Sequence, residues 1–474
     1  MSTRELPPHH AARSGRGHLA AIARSGRVWL ALVVIGGLVA AMGWPVAADR
    51  DKPPPNVLVV VTDDQRGGLP VMPALREWMQ EGTFFPNAYA TTPLCCPSRA
   101  SIMSGLYAHN HGVRGNPDAL GFNPDQTLQA YLDEEGYETA LYGKYLNNYP
   151  LEADLPYFDR YGYFCCNPKK SPEAYIGGKW NIDGEIQTVE EYSTDFIADR
   201  TVDFISSASD PWYAYVAPIA PHQPFEPDAK YADVKINDWA GNPAIDEKDL
   251  SDKPAHGPTT DADIKVGERR RKAQLRTLMS VDDMVRRIFE TLRQRDELDN
   301  TIVVFMSDNG YMWGEHGLIG KAFPYSQSVN IPMFIRFPES LDPGPVDERR
   351  VANIDVAPTI LDAAGIDPLT PMDGRSVLDD DWERERVFTE FLNPFSETRA
   401  PWRSVTTDEA QYIQYYGPDG GVVEQEYYDL VADPWQLENL FGDENPSNDP
   451  SAELVGELAS QLVADGDCAA EACP

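Results

Sequence analysis

Val57-Leu58-Val59-Val60-Val61-Thr62-Asp63-Asp64-Gln65 is the stretch on which the fold turns. Its first five residues are apolar without a break, and four of them are valine. A strand with one face in water alternates polar and apolar side chains; a strand buried on both faces, as in a parallel sheet, does not. Comparable short runs recur at 139–142, 213–217, 302–306 and 333–337. Helical patterns lie between them. The clearest sets Leu275, Leu278, Met279, Val285, Ile288 and Leu292 on one face and charges on the other. Strands alternating with helices predict an α/β large domain over 55–380 with a mostly parallel, doubly wound central sheet. Within it, 227–266 is polar and reads as a long surface excursion. The texture changes near 379–386. Short β-like segments follow at 387–391, 402–406, 412–416 and 426–430, with a helix near 452–464. They predict a smaller C-terminal domain, 381–464, built on an antiparallel sheet. An acidic tail, 465–474, is expected to be mobile.

Two of the apolar runs end in acids. Residues 57–61 lead into Asp63-Asp64, and 302–306 into Ser307-Asp308-Asn309-Gly310. Open α/β sheets bind ligands at the carboxyl ends of their strands. Asp63, Asp64, Asp308 and Asn309 brought together there offer only oxygen ligands, which favours calcium, or less well magnesium, over zinc. The ordinary alternative is that an acid after a strand starts a turn or caps a helix. A second feature is Leu94-Cys95-Cys96-Pro97-Ser98-Arg99 followed by small residues up to Gly105. Pro97 suits the first helical position, so Cys95 is expected just before a helix N-terminus, where free N–H groups and the helix dipole attract anions. Arg99, one turn on, adds a donor for charge-assisted hydrogen bonds. A buried structural pair is the alternative for an arbitrary Cys-Cys.

The 474 residues carry 40 Lys+Arg against 75 Asp+Glu, a net charge of -35. That balance lacks the broad basic face of a nucleic-acid binder, so no nucleic-acid partner is expected. It leaves room for a small anionic group held by a few local cations. At the N-terminus, Arg13, Arg16, Arg24 and Arg27 precede an uncharged stretch, 28–48, ending in Val46-Ala47-Ala48. Residues 1–48 read as a signal peptide with a small-residue cleavage site or as an N-terminal membrane anchor. Either places the body outside the cytoplasm, secreted or extracytoplasmic. Cys468 and Cys473 are spaced to close a small loop, while Cys165 and Cys166 can pair with each other or with a distant partner. Nothing in the sequence specifies an oligomer.

Cys95-x-Pro97-Ser98-Arg99 with Ser104-Gly105 resembles the signature of the type I, formylglycine-dependent sulfatases. Tyr107-Ala108-His109-Asn110-His111, Gly143-Lys144-Tyr145-Leu146-Asn147, Ala220-Pro221-His222-Gln223-Pro224 and Ser307-Asp308-Asn309-Gly310 look most like the N-acetylglucosamine-6-sulfatase and extracellular heparan sulfatase branch. The resemblance runs over 55–442. It takes in Tyr428-Asp429-Leu430, Asp433-Pro434 and Glu438-Asn439-Leu440, which resemble the family's C-terminal motif. The resemblance implies an alkaline-phosphatase-like fold and conversion of Cys95 to formylglycine by a formylglycine-generating enzyme. It implies one calcium ion held by Asp63, Asp64, Asp308, Asn309 and the modified Cys95. Arg99 and Lys144 match residues that hold formylglycine and sulfate; His222 and Lys321 match the sulfate-binding and leaving-group side. One departure stands out: many sulfatases have His where this chain has Leu146, followed here by Asn147. That leaves the proton acceptor open, with His111 and His109 as candidates.

The implied reaction is hydrolysis of a sulfate ester. An unmodified thiolate attacking sulfur would leave an S-sulfonated enzyme with no easy exit. A hydrated aldehyde avoids this. One hydroxyl attacks sulfur as the S–O bond to the leaving alkoxide breaks; the second hydroxyl then loses its proton, the aldehyde re-forms and sulfate departs. Arg99, Lys144, Lys321 and the cation offset the substrate's charge, and His222 is suited to protonate the alkoxide. The expected substrate is a sulfated carbohydrate, an amino sugar or glycosaminoglycan, ahead of another small sulfate ester. The rivals are a formylglycine-dependent arylsulfatase, a phosphodiesterase or phosphonate hydrolase, and a non-catalytic binding protein that keeps the fold. The last is expected to have lost some of Cys95, Arg99 or the acids. A zinc phosphatase would need several His ligands, and three of the eight, His9, His10 and His18, fall in the targeting segment.

Overall fold

The structure, a computed structural model, describes residues 53–164, 174–254, 261–338, 340–341, 346–393, 400–443 and 445–474. The 1–48 segment, Cys165 and Cys166 lie outside the described residues. Among the described residues no helix is long and apolar enough to cross a membrane.

Strand β1 (Asn56–Thr62) is buried along its whole length. Its side chains alternate between two cores: Val57, Val59 and Val61 enter one, Leu58 and Val60 the other. Each such side chain contributes about 1.5–3 kcal/mol on burial, which is why the run tolerates no polar interruption. The other strands of the main sheet are β2 (Thr83–Phe84), β3 (Glu138–Gly143), β4 (Arg160–Phe164), β5 (Gly178–Ile182), β6 (Glu185–Val189), β7 (Trp212–Ala217), β8 (Thr301–Ser307) and β9 (Met333–Arg336). Their spatial order is β2-β9-β8-β1-β7-β3-β4-β5-β6. The central block β8-β1-β7-β3-β4 is parallel throughout. The 333–337 run forms β9, which pairs antiparallel with β8.

Helices cover both faces. On one lie α1 (Cys95–Ser104) and α4 (Val356–Ala364), on the other α2 (Ser193–Ser207) and α3 (Asp261–Gln294). α3 packs Leu275, Leu278, Val281, Met284, Val285, Ile288, Phe289 and Leu292 inward, whereas Met279 is only half-buried. The helix starts inside the stretch read as an excursion, which is therefore shorter than expected. The excursion is also less exposed: Ala244, Leu250 and Lys253 are buried.

A second, antiparallel sheet runs β10 (Val387–Phe391), β11 (Trp402–Thr406), β12 (Ala410–Tyr416) and β13 (Val422–Asp429) in order. One face, with Phe391, Trp402, Ile413 and Tyr428, packs on Met312, Tyr325 and Val329 of the large sheet's loops. The other, with Phe388, Val405 and Tyr412, packs on Leu462 of α5 (Ala452–Gly466). The tail expected to be mobile is fastened down. Asp465 is buried on Arg386 through bonds of 2.9 and 2.8 Å, Cys468 and Cys473 are disulfide-bonded, and Ala470 N donates to Asp373 Oδ1 at 2.7 Å.

Candidate active site

Register builds the site. Thr62 of β1 faces Ser307 of β8, so Asp63-Asp64 and Asp308-Asn309 leave the sheet side by side. On the other flank, β3 ends at Gly143 opposite Ala217 of β7, handing over to Lys144, while β7 runs on to His222. Neighbouring parallel strands thus deliver every one of these groups at their carboxyl ends, where unpaired polar groups of the sheet meet a ligand. Two glycines permit the close approach. A Cβ at Gly143 (φ 115) would lie 2.1 Å from Ala217 O, to which Lys144 N donates at 2.7 Å. A Cβ at Gly310 would lie 2.3 Å from Gln327 O. Asp64 itself is left-handed (φ 67), a strain that such sites store.

α1 begins at Cys95, two residues earlier than Pro97 led us to expect. Leu94 is the cap, its carbonyl accepting Ser98 N at 3.0 Å. Pro97 therefore sits within the first turn, where its missing N–H removes no helical bond. The helix is buried at every position. Ser98 Oγ donates to Asp308 O and itself accepts from Asn353 Nδ2 at 2.9 Å; Asn353 Oδ1 takes Thr91 N at 3.0 Å. Asn353 is a site-supporting residue the sequence reading missed, and an isolated Asn 255 positions from Ser98 gives no signal.

The structure brings together the residues expected to hold the cation, the modified cysteine and sulfate. Lys321 Nζ donates to Cys95 Sγ at 2.7 Å and to Asp64 Oδ1, and the Cys95 thiol reaches Asp63 Oδ1 at 3.7 Å. Lys144 Nζ donates to Asp63 Oδ2 at 2.5 Å. Arg99 Nε donates to Asp308 Oδ2 at 2.9 Å and Nη1 to Lys144 O at 3.1 Å, while Nη2 is buried without a bond. His222 Nε2 lies 3.7 Å from Asp64 Oδ2, and Nδ1 is 2.7 Å from Gln223 O. A carbonyl can only accept, so Nδ1 carries a proton and Nε2 is the exchangeable atom.

Burial alone would raise the Asp63 pKa, but Lys144, His222, Lys321 and Arg99 outweigh it and hold the carboxyl well below its ordinary value. Burial likewise opposes the charge on Lys321 and Lys144, and the neighbouring carboxylates raise both pKa values regardless. Cys96, next in sequence to Cys95, is a different group. Burial pushes its thiol up to about 12, and its sulfur accepts Asn147 N at 3.0 Å.

The two proton-acceptor candidates lie elsewhere. His111 Nδ1 accepts Val113 N and Nε2 pairs with Ser101 Oγ; burial drops its pKa to about 3. His109 bridges Glu390 and Cys468 O. Neither has a hydrogen bond to Cys95 or to the acids beside it.

The donors suit a cation. Ligand atoms of Asp63, Asp64, Cys95 and His222 lie within 4.8 Å of one another. Asn309 Nδ2 donates to Asp64 Oδ1 at 2.7 Å, and Asn309 Oδ1 is buried without a hydrogen bond. Asp308 adjoins the group, its oxygens bound to Asp64 N at 3.0 Å and to Arg99; each keeps a second lone pair. An unsatisfied buried amide oxygen among carboxylates is what a hard oxygen-seeking ion requires.

Residues 55–366 match the model of the family described as Sulfatase. The chain belongs to the sulfatase family. Residues 314–464 also match the unit described as N-sulphoglucosamine sulphohydrolase, C-terminal. An extracellular sulfatase homolog from Caenorhabditis elegans is 33% identical over 352 residues, 68% of this chain and 48% of that protein. This chain therefore spans less than half the length of that relative. The N-acetylglucosamine-6-sulfatase of Homo sapiens is 31% identical over 506 residues, covering 94% of this chain and 89% of that one. Among solved structures, one in complex with its substrate D-glucosamine-2-N,6-O-disulfate superposes with a TM-score of 0.71 at 24% identity, covering 87% of this chain and 97% of that one. This last is a likeness of fold. The family generally uses a metal ion and a modified cysteine.

Proposed function

We propose that this sulfatase releases sulfate from sulfated amino sugars or glycosaminoglycans outside the cytoplasm, with Cys95 as formylglycine and one calcium ion. The observation that carries the reading is the seat of Cys95. It opens a fully buried helix and touches both Lys321 Nζ, at 2.7 Å, and Asp63 Oδ1, at 3.7 Å. The likeness to N-acetylglucosamine-6-sulfatase over 94% of this chain supports the amino-sugar substrate.

Asp63, Asp64, Asp308 and Asn309 would hold the calcium, which supplies positive charge against a negatively charged ester. Formylglycine at position 95 supplies a hydrated aldehyde as nucleophile. In the structure the Cys95 sulfur stands where the hydrate oxygens belong. The protein's own part is electrostatic and positional. Three carboxylates, Asp63, Asp64 and Asp308, balance three permanent cations, Arg99, Lys144 and Lys321, so a divalent ion leaves the site net positive. Arg99 is locked by Asp308 and the Lys144 carbonyl, which aims its Nη2, 4.0 Å from Asp63 Oδ2 and without a hydrogen bond, into the cluster without reorganisation at the moment of reaction. His222, its Nδ1 fixed on Gln223 O, holds a proton on Nε2 for the leaving alkoxide.

The test is sulfate release from 6-O-sulfated glucosamine, other sulfated sugars and an aryl sulfate, alongside a phosphate diester and a phosphonate ester. Highest kcat/KM on the sulfated amino sugar is expected. A preference for the aryl sulfate overturns the substrate; a preference for the phosphorus esters overturns the reaction.

A further inference from the structure

Lys321 reaches Asp64 and Cys95 from a loop in which Met312-Trp313 pair antiparallel with Ile319-Gly320, a pairing that stops just before Lys321. His316, Gly317, Gly320 and Ala322 have φ of 52, 69, 113 and 71. Two of these left-handed positions carry a Cβ, a conformation that persists only where surrounding contacts over-determine it.

Those contacts come from outside the catalytic cluster. Downstream of Lys321, Tyr325 donates to Glu426 Oε1 at 3.0 Å, Trp402 Nε1 to Ala322 O at 3.2 Å, and Gln411 Nε2 to Pro324 O at 2.8 Å. Upstream, His316 Nδ1 pairs with Glu247 Oε2 at 2.6 Å, and its ring lies 4.5 Å from that of Tyr325. Lys253 Nζ donates to Glu247 Oε1 at 2.7 Å and sits 5.7 Å from the Tyr428 ring. Tyr428 closes the circuit by donating to Glu426 Oε2 at 2.7 Å, and Tyr415 adds a bond to Oε1 at 3.0 Å. Glu426, Tyr325, His316, Glu247, Lys253 and Tyr428 thus form a closed, buried ring that grips the loop on both sides of Lys321.

We infer that Glu426, from the C-terminal sheet, is a positioning residue that sets where the Lys321 ammonium sits by clamping the 314–325 loop. A buried carboxylate accepting three hydroxyls, one from the loop, one from β12 and one from its own strand, is hard to replace without leaving polar groups unpaired, which suits it to tie the loop to the small sheet. The inference rests on the proposed place of Lys321 in the sulfate pocket.

The experiment is a double-mutant cycle of Glu426→Gln with Lys321→Ala, read by turnover and by hydrogen exchange. Glu426→Gln should raise deuterium uptake across 314–325 while leaving α1 as in the wild type. It should lower kcat by roughly 10- to 100-fold with little change in KM. In the Lys321→Ala background it should cost nothing further. Tyr325→Phe, which removes one hydroxyl, should move both readouts the same way by less, and serves if Glu426→Gln does not fold. Unchanged uptake across 314–325 overturns the clamp, as do losses that multiply in the double variant. Full activity in Lys321→Ala overturns the functional reading instead, and leaves the uptake result to judge the clamp.

Discussion

Asp63 and Glu426 are both carboxylates with no exposure, one at the ends of the central strands and one inside the C-terminal sheet. Around Asp63 stand Lys144, His222, Lys321 and Arg99, and burial is overcome. Around Glu426 stand three tyrosine hydroxyls, with Lys253 behind one ring; burial wins and the pKa rises to about 7. The same chemical group is a permanent charge in the first place and a titratable brace in the second. Cations at a strand end make a field for an anionic ligand; neutral donors make a joint. The strand ends of the large sheet place Asp63, Asp64, Asp308, Lys144 and His222, and the small sheet braces the loop that carries Lys321.

The largest expected effect breaks the comparison at the strand ends. Cys95→Ala should lower kcat/KM by at least ~1000-fold with unchanged far-UV circular dichroism, whereas Cys96→Ala, whose thiol faces Asn147 and the core, should keep near-normal turnover. The mass of the peptide carrying Cys95 shows independently whether the thiol has become an aldehyde. Activity surviving in Cys95→Ala would end the proposed chemistry. Next in size, Asp308→Ala should lose bound divalent metal and turnover together, because it removes a proposed ligand and the anchor of Arg99 at once. Elemental analysis that still finds stoichiometric calcium would take Asp308 off the ligand list.

Much of this was legible because burial leaves a composition signature. The runs at 57–61 and 302–306 are apolar on both faces, and the acids that follow them stand out against that background. The antiparallel sheet was visible from its short β-rich segments near 387–430. What escaped was set by tertiary contact. The 333–337 run looks like its parallel neighbours, yet β9 runs antiparallel, since direction depends on the connection and not on side chains. Pro97 marked a helix start but not the residue that opens it. The tail was judged by its charge, when a disulfide, Arg386 and Asp373 hold it. Asn353 carries no local signal because Ser98 and Thr91 are distant in sequence, and the bond of Tyr325 to Glu426 spans 101 positions. His109 and His111 drew attention only by residue type, and both are spent on structural bonds.

The titratable brace gives the next effect. Glu426 has a folded pKa of about 7 against an ordinary 4.5. The folded state therefore binds its proton more tightly than the unfolded state. That contribution to stability is fully present below about pH 4.5 and is lost as pH rises through about 7, on the order of 3 kcal/mol in all. Glu426→Gln removes the titration, so denaturant unfolding of that variant should show a flatter dependence between these pH values. A wild type whose stability is flat, or rises, through the same window would mean that the three tyrosine bonds persist with the carboxylate fully charged.

The smallest effect sharpens the contrast from the far end of α1. The Cys468–Cys473 bridge closes a loop of sequence separation 5, and the Cys468 carbonyl accepts from His109 Nε2 at 3.2 Å and Asn110 Nδ2 at 2.9 Å. Those residues follow the C-terminal end of α1, whereas Cys95 opens the helix. So short a loop restricts the unfolded chain only modestly, and replacing both cysteines by serine should cost about 2 kcal/mol. Because the loop grips the end of α1 remote from Cys95, kcat should stay within about twofold of the wild type while the unfolding midpoint falls. A drop in kcat matching that of Glu426→Gln would mean that α1 transmits strain along its length, and that the tail, like the small sheet, takes part in positioning the site.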